Sequence, residues 1–189
     1  MTGASRGIGA AVALLMAEQG ADVAINFRSK GPRAGEIANQ VQALGRRARL
    51  AQADLTDQSS VAAMACDIER TFGRLDDLVL NASGGLEKGK SASYAMELNL
   101  TAQVRTLDAV LPLMRSGGSV VFVTSHLAHF YGRKPVYDAY EPIAASKKAG
   151  EDALRSRMAE FEARGIRLAI VSGDARRPNG HVSFVGPTD

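Results

Sequence analysis

Thr2-Gly3-Ala4-Ser5-Arg6-Gly7-Ile8-Gly9 is a glycine-rich turn that runs straight into an apolar helical pattern. A turn of this composition lets the backbone approach a pyrophosphate, which then sits on the free N–H groups and positive dipole end of the adjoining helix. The expected ligand is a dinucleotide, contacted first by Gly3, Ser5, Arg6, Gly7, Ile8 and Gly9. Three glycines are weak evidence alone, since small residues also make plain loops, so the case rests on the elements downstream.

Those elements alternate between helical and strand patterns. Ile8, Val12, Leu15 and Met16 recur at helical spacing up to Gly20, and Ala21 to Phe27 reads as a strand. A second helix carries Ile37, Val41 and Leu44 on one face and stops at Gly45; Arg49 to Ala53 is the next strand. Asp57 is placed to cap a third helix, with Val61, Ala65, Ile68 and Phe72 inward and Gly73 after it. The strand Leu78 to Leu80 ends at Asn81-Ala82-Ser83-Gly84. A long helix is expected from about Tyr94 to Met114, then a strand from Ser119 to Thr124, a polar loop, a helix from about Pro142 to Arg164, and strands Ile166 to Val171 and Gly180 to Gly186. Near-continuous apolar strands alternating with amphipathic helices predict an α/β fold, a Rossmann-like doubly wound parallel sheet with helices on both faces. Its ligands bind beyond the carboxyl ends of the strands, where these motifs lie.

The chain has 189 residues, 46% of them hydrophobic, enough for one sizeable core and hence a single domain over 1–189. Its 23 Lys/Arg and 20 Asp/Glu are interleaved and aromatics are only 5%, which argues against nucleic acid as a partner. One cysteine, Cys66, allows no internal disulfide and fits a cytoplasmic location, and there is no signal peptide or membrane-spanning run. His126 and His129 lack the companions of a metal site and read as loop residues, His126 being the one closer to substrate. Asp76-Asp77 reads as a solvated turn and the methionines as core filling.

The glycine spacing G-x-x-x-G-x-G, led by Thr2, resembles the short-chain dehydrogenase/reductase family, among them the 3-oxoacyl-ACP-reductase-like members. The resemblance implies that Asp54-Leu55 brackets the adenine and that Asn81-Ala82-Ser83 lines the cofactor, with Ser83 where the family most often has glycine. The strand Val23 to Phe27 ends in Arg28, and no acidic residue takes the place that binds the ribose hydroxyls. Arg28 and Arg6 together favour the 2′-phosphate of NADP.

The resemblance further implies that Ser125 polarises the substrate oxygen, that Asn99 belongs to a proton relay, and that Lys147 holds the nicotinamide ribose. Four residues before Lys147, where the family carries the tyrosine that moves the proton, stands Ile143. Tyr140, seven residues before Lys147, shares its helical face and is ranked first as the substitute. Pro142 is expected to push Glu141 into extended backbone and leave Tyr140 just outside the helix. Tyr137 and Tyr131 are further candidates, a register on Lys148 meets Ala144, and a site without its acid is the remaining alternative.

Both ends depart from the expected pattern. Only Met1 and Thr2 precede Gly3, so the central strand is absent, and only Ala175 to Asn179 stands where a substrate-covering helical segment is expected. Either the sequence is incomplete or it is a pared-down relative with an open substrate site. The implied function is hydride transfer between NADPH and a small carbonyl or alcohol, with 3-oxoacyl thioester reduction the nearest familiar activity. The alternative is a catalytically silent NADP-binding sensor or assembly protein. A homodimer or homotetramer is expected through the two long helices.

Overall fold

The computed structural model describes residues 1–85 and 91–173. Among the described residues five parallel strands form two sheets. β1 (Val23–Phe27) pairs with β2 (Ala48–Gln52), and the second sheet has the order β3 (Leu75–Leu80), β4 (Met114–Ser125), β5 (Arg167–Gly173). The helices α1 (Gly7–Glu18), α2 (Gly31–Ala43), α3 (Gln58–Phe72), α5 (Ala102–Val110), α7 (Glu141–Arg155) and α8 (Met158–Ala163) connect them, with short helical turns α4 (Ala92–Met96) and α6 (His126–His129). Among the described residues no helix is long and apolar enough to cross a membrane. The expected strand at 180–186 lies outside the described residues.

Where a continuous sheet needs a strand between β1 and β3, two residues stand in. The Met1 ammonium donates to Ala24 O, Asn26 N to Met1 O, and Thr2 N to Val79 O. The two sheets are therefore stitched by Met1 and Thr2 through Ala24 and Asn26 of β1 and Val79 of β3. Below the stitch lies a cavity of ≈ 550 Å³ between Ala21, Asp22 and Ala24 on one side and Leu75, Asp76 and Asp77 on the other.

The helices depart from the periodicity reading in informative places. In α1 the buried residues are Gly9, Ala10, Ala13 and Ala17, while Ile8 and Leu15 stay exposed. Small side chains let this helix lie close on Val23, Ile25 and Phe27, a contact that bulky residues would hold apart. Leu44 is also exposed, because α2 ends at Ala43. Asp57 does cap α3, accepting from Ser59 N and Ser60 N, and Gly73 closes it at φ 72°.

The two long helices are both broken. The first is α4, a π-helical turn over Glu97–Thr101, then α5, and it passes at Pro112 into a 3₁₀ turn; Met114 already belongs to β4. The second divides into α7 and α8 at Ser156-Arg157. Glu141 is helical (φ −50°, ψ −51°) rather than extended, because a 3₁₀ turn over Asp138–Tyr140 leads directly into α7 and Tyr131 holds the Glu141 carboxylate. Asp76 and Asp77 are the exposed start of β3, where Arg74 and Ser119 bind them, not a turn before it. The largest apolar cluster packs Leu80, Phe122 and Val120 beneath Leu107, Leu154 and Phe161, and so fixes α5, α7 and α8 over the second sheet.

Candidate functional site

The glycine turn is held from two sides. Thr2 Oγ1 donates to Val79 O and accepts from Asn81 N (2.8 Å) and Ala82 N (3.0 Å). Asn81 Nδ2 donates back to Thr2 O at 3.0 Å. On the other flank, Asn26, buried within β1, accepts from Gly3 N with Oδ1 and donates to Ala51 O with Nδ2 at 3.0 Å. A polar side chain inside an otherwise apolar strand is the signal for this clamp, and periodicity alone passes over it.

The turn is built for close backbone approach. Gly7 has φ +56°, and a Cβ on Gly9 would lie 2.3 Å from Gly3 O and 2.7 Å from Asn81 Nδ2. Arg6, the N-cap of α1, is extended and its side chain bonds none of the first-turn N–H groups, which leaves that helix end open to an anion.

These residues line a groove of ≈ 540 Å³ at the carboxyl ends of β1, β2 and β3. Gly3, Ser5, Arg6, Gly7, Ile8 and Gly9 form one wall; Asp54 and Leu55 after β2 and Asn81, Ala82 and Ser83 after β3 form another. Arg28 lies at its outer end, joined by Lys30, Arg33 and Tyr94, positions that no sequence motif marks. Four cations and one acid, Asp54, thus line the groove. Burial opposes ionisation of Asp54, but bonds from Thr56 and the charge of Arg28 outweigh it and hold the carboxyl below its ordinary value. A cradle without room for a Cβ, an uncapped helix end and a cationic outer end fit a phosphorylated dinucleotide.

A second group gathers where β4 ends. Tyr140 Oη donates to Ser125 Oγ at 2.9 Å, and the same oxygen accepts from Ala128 N as the N-cap of α6. Tyr140 is the residue from which α7 departs. Tyr137 packs its ring 5.5 Å from that of Tyr140 and is 60% exposed, while the Tyr131 hydroxyl donates to Glu141. That bond to Glu141 raises the Tyr131 pKa. Ile143 is buried, its Cγ1 only 3.1 Å from where a Cβ on Gly85 would lie.

Asn99 sits in the π-helical turn, buried, with Nδ2 donating to Gly84 O (2.9 Å) and Ser146 Oγ (3.0 Å) and Oδ1 accepting from Gly84 N. A π turn within a helix often marks a functional position. Lys147 is 9% exposed, has no hydrogen-bond or ion-pair partner among the described residues, and has its pKa lowered by burial to about 8. It does not line the groove. A buried ammonium without a partner is costly unless a ligand supplies one.

His126 and His129 form a helical turn rather than a loop. His129 Nδ1 bonds buried Glu151 at 2.9 Å, which Arg155 also holds, and His126 Nε2 lies 2.9 Å from Lys134 Nζ.

Comparison with known proteins agrees with this geometry. The sequence profile of the short chain dehydrogenase family matches residues 1–175. Hydroxynaphthalene reductase arp2 of Aspergillus fumigatus is 35% identical over 91% of this chain and 63% of its own length. Cis-4-hydroxycyclohexanecarboxylate dehydrogenase of Sinomonas cyclohexanicum is 34% identical over 94% of this chain and 73% of its own. A short chain dehydrogenase from Burkholderia cenocepacia, solved in complex with NADP, superposes with a TM-score of 0.81 at 34% identity, covering 91% of this chain and 71% of that one. Other solved relatives hold NAD. The chain thus spans about 63% of the length of hydroxynaphthalene reductase arp2.

Proposed function

The chain belongs to the short-chain dehydrogenase family, and from that premise we propose that it is an NADP-dependent oxidoreductase acting on a small carbonyl or alcohol. The observation that carries the reading is the Tyr140–Ser125 hydrogen bond, which puts a phenol on the serine oxygen although Ile143 occupies the family's tyrosine position. Four groove cations, Arg6, Arg28, Lys30 and Arg33, support a 2′-phosphate over a bare ribose.

A nicotinamide dinucleotide, when bound, supplies or takes the hydride. Ser125 Oγ holds the substrate oxygen and Tyr140 Oη donates the proton to it in reduction or accepts it in oxidation. Lys147 holds ribose hydroxyls, which gives its buried ammonium the partners it lacks. Asn99 keeps the π turn and Gly84 in register with α7 through Ser146. The contact between Tyr140 and Ser125 weighs against a silent binder, which needs no phenol at that place.

For the substrate we propose an oxygen on a six-membered carbocycle. Two relatives, at 34% and 35% identity, carry a hydroxycyclohexanecarboxylate and a hydroxynaphthalene in their names, and the rings of Tyr137 and Tyr140, tilted 34° to each other, put aromatic surface next to Ser125. The test is NADPH oxidation against cyclic ketones, linear ketones and 3-oxoacyl thioesters. Turnover is expected with the cyclic ketones; tight NADPH binding with no turnover across the panel would instead support the silent binder.

A further inference from the structure

Arg28 is held at both ends. Its carbonyl accepts from Gln52 Nε2 of the neighbouring strand at 3.1 Å, and its guanidinium Nη1 donates to Tyr94 Oη at 3.0 Å. Tyr94 comes from α4, 66 residues along the chain, and both residues line the groove. An exposed arginine on a strand end ordinarily samples many rotamers, and ordering it on binding is unfavourable. Here one donor is already fixed by a half-buried phenol, whose own backbone is anchored by the Ser91 cap of α4.

We propose that Tyr94 is a positioning residue for cofactor choice: its phenol holds the Arg28 guanidinium across the outer end of the groove, preorganised for the 2′-phosphate that distinguishes NADP from NAD. The inference rests on the dinucleotide reading and adds to it a residue from α4. The order of elements ties the adenosine end to the catalytic end. α4 runs without interruption into the π-helical turn that carries Asn99, five residues after Tyr94.

The chemistry separates Tyr94 from the groove's cations. Lys30 and Arg33 bring charge, which strengthens attraction of any polyphosphate, whereas a neutral phenol that only aims a guanidinium affects ligands bearing the 2′-phosphate. Removing that restraint should return the ordering penalty of one long side chain, a loss of about two- to tenfold in affinity.

The test is titration calorimetry of NADPH and NADH with the intact chain, its Tyr94→Phe and Tyr94→Gln variants, and Arg28→Ala alone and combined with Tyr94→Phe. Tyr94→Phe is expected to weaken NADPH by about two- to tenfold and leave NADH unchanged within a factor of about two. Tyr94→Gln, whose amide oxygen still accepts from a guanidinium, should recover part of the loss. In the Arg28→Ala background, Tyr94→Phe should have no further effect on NADPH. Equal losses for both cofactors, no loss for either, or an undiminished Tyr94→Phe effect without Arg28 would overturn the proposal. Failure of the unaltered chain to bind either dinucleotide would remove the functional reading as well, whereas a normal NADPH preference with an inert Tyr94→Phe removes Tyr94 alone.

Discussion

Tyr140 and Ser125 meet at 2.9 Å although they belong to different elements, the N-cap of α7 and the last residue of β4. A 3₁₀ turn over Asp138–Tyr140 leads straight into α7, and from it the phenol reaches Ser125 at the carboxyl end of β4. A tyrosine one turn earlier than the family places it thereby reaches the serine that the family's tyrosine serves.

Tyr140→Phe should lower turnover by roughly 10²–10⁴-fold, the range for a lost general acid, with NADPH affinity nearly unchanged. Steady-state kcat with a reducible cyclic ketone and a parallel calorimetric Kd check both halves. Undiminished kcat would assign the proton to another donor, and Tyr137, whose ring lies 5.5 Å from that of Tyr140, is the next to test.

Lys147 predicts an opposition between stability and function. Its pKa falls from 10.5 to about 8 on folding because burial disfavours the charge. Above about pH 10.5 the side chain is neutral folded and unfolded, and burial of charge costs nothing. As pH falls toward 8 the unfolded chain takes up the proton first, so stability drops; below 8 the full penalty of about 3 kcal/mol remains. Lys147→Met should therefore raise the urea midpoint at pH 7, with a smaller gain at pH 10, while weakening NADPH binding. A gain independent of pH would mean that the ammonium finds compensation in the folded protein.

Much of this was legible in the sequence, and the failures have physical causes. The alternation of strands and helices is set by backbone pairing and apolar burial, both local in pattern, so the parallel fold and the Asp57 cap can be read directly. The α1 reading failed because periodicity ranks Ile8 and Leu15 above alanine, whereas the close approach of helix to strand selects Ala13 and Ala17. Helix breaks at Glu97–Thr101 and Ser156-Arg157 were hidden because each flank keeps helical spacing across the break. In the groove, Asp54, Asn81 and Arg28 stand at strand ends where motif spacing points, but Tyr94 reaches in from a separate helix, and only the tertiary fold shows that.

Arg28→Asp should weaken NADPH by more than NADH, because the 2′-phosphate loses its charge-assisted donor and meets a like charge. The same change places a second acid near Asp54, whose pKa Arg28 now helps to lower. Fluorescence titration of both dinucleotides checks the ratio, and equal losses would show that Arg28 lies away from the 2′ position.

The stitch between the two sheets offers a stability test. Met1 and Thr2 pair with Ala24 and Asn26 of β1 and Val79 of β3, and a ≈ 550 Å³ cavity lies between the facing strand edges. Extending the chain upstream of Met1 by about five Val and Ile residues, the usual length of a strand, supplies ladder partners to both edges. Thermal unfolding of that variant should show a raised Tm. A Gly-Ser extension of equal length should give a smaller rise, since it fills the cavity poorly. Identical Tm values for the two extensions would show that the space between the sheets does not receive a strand.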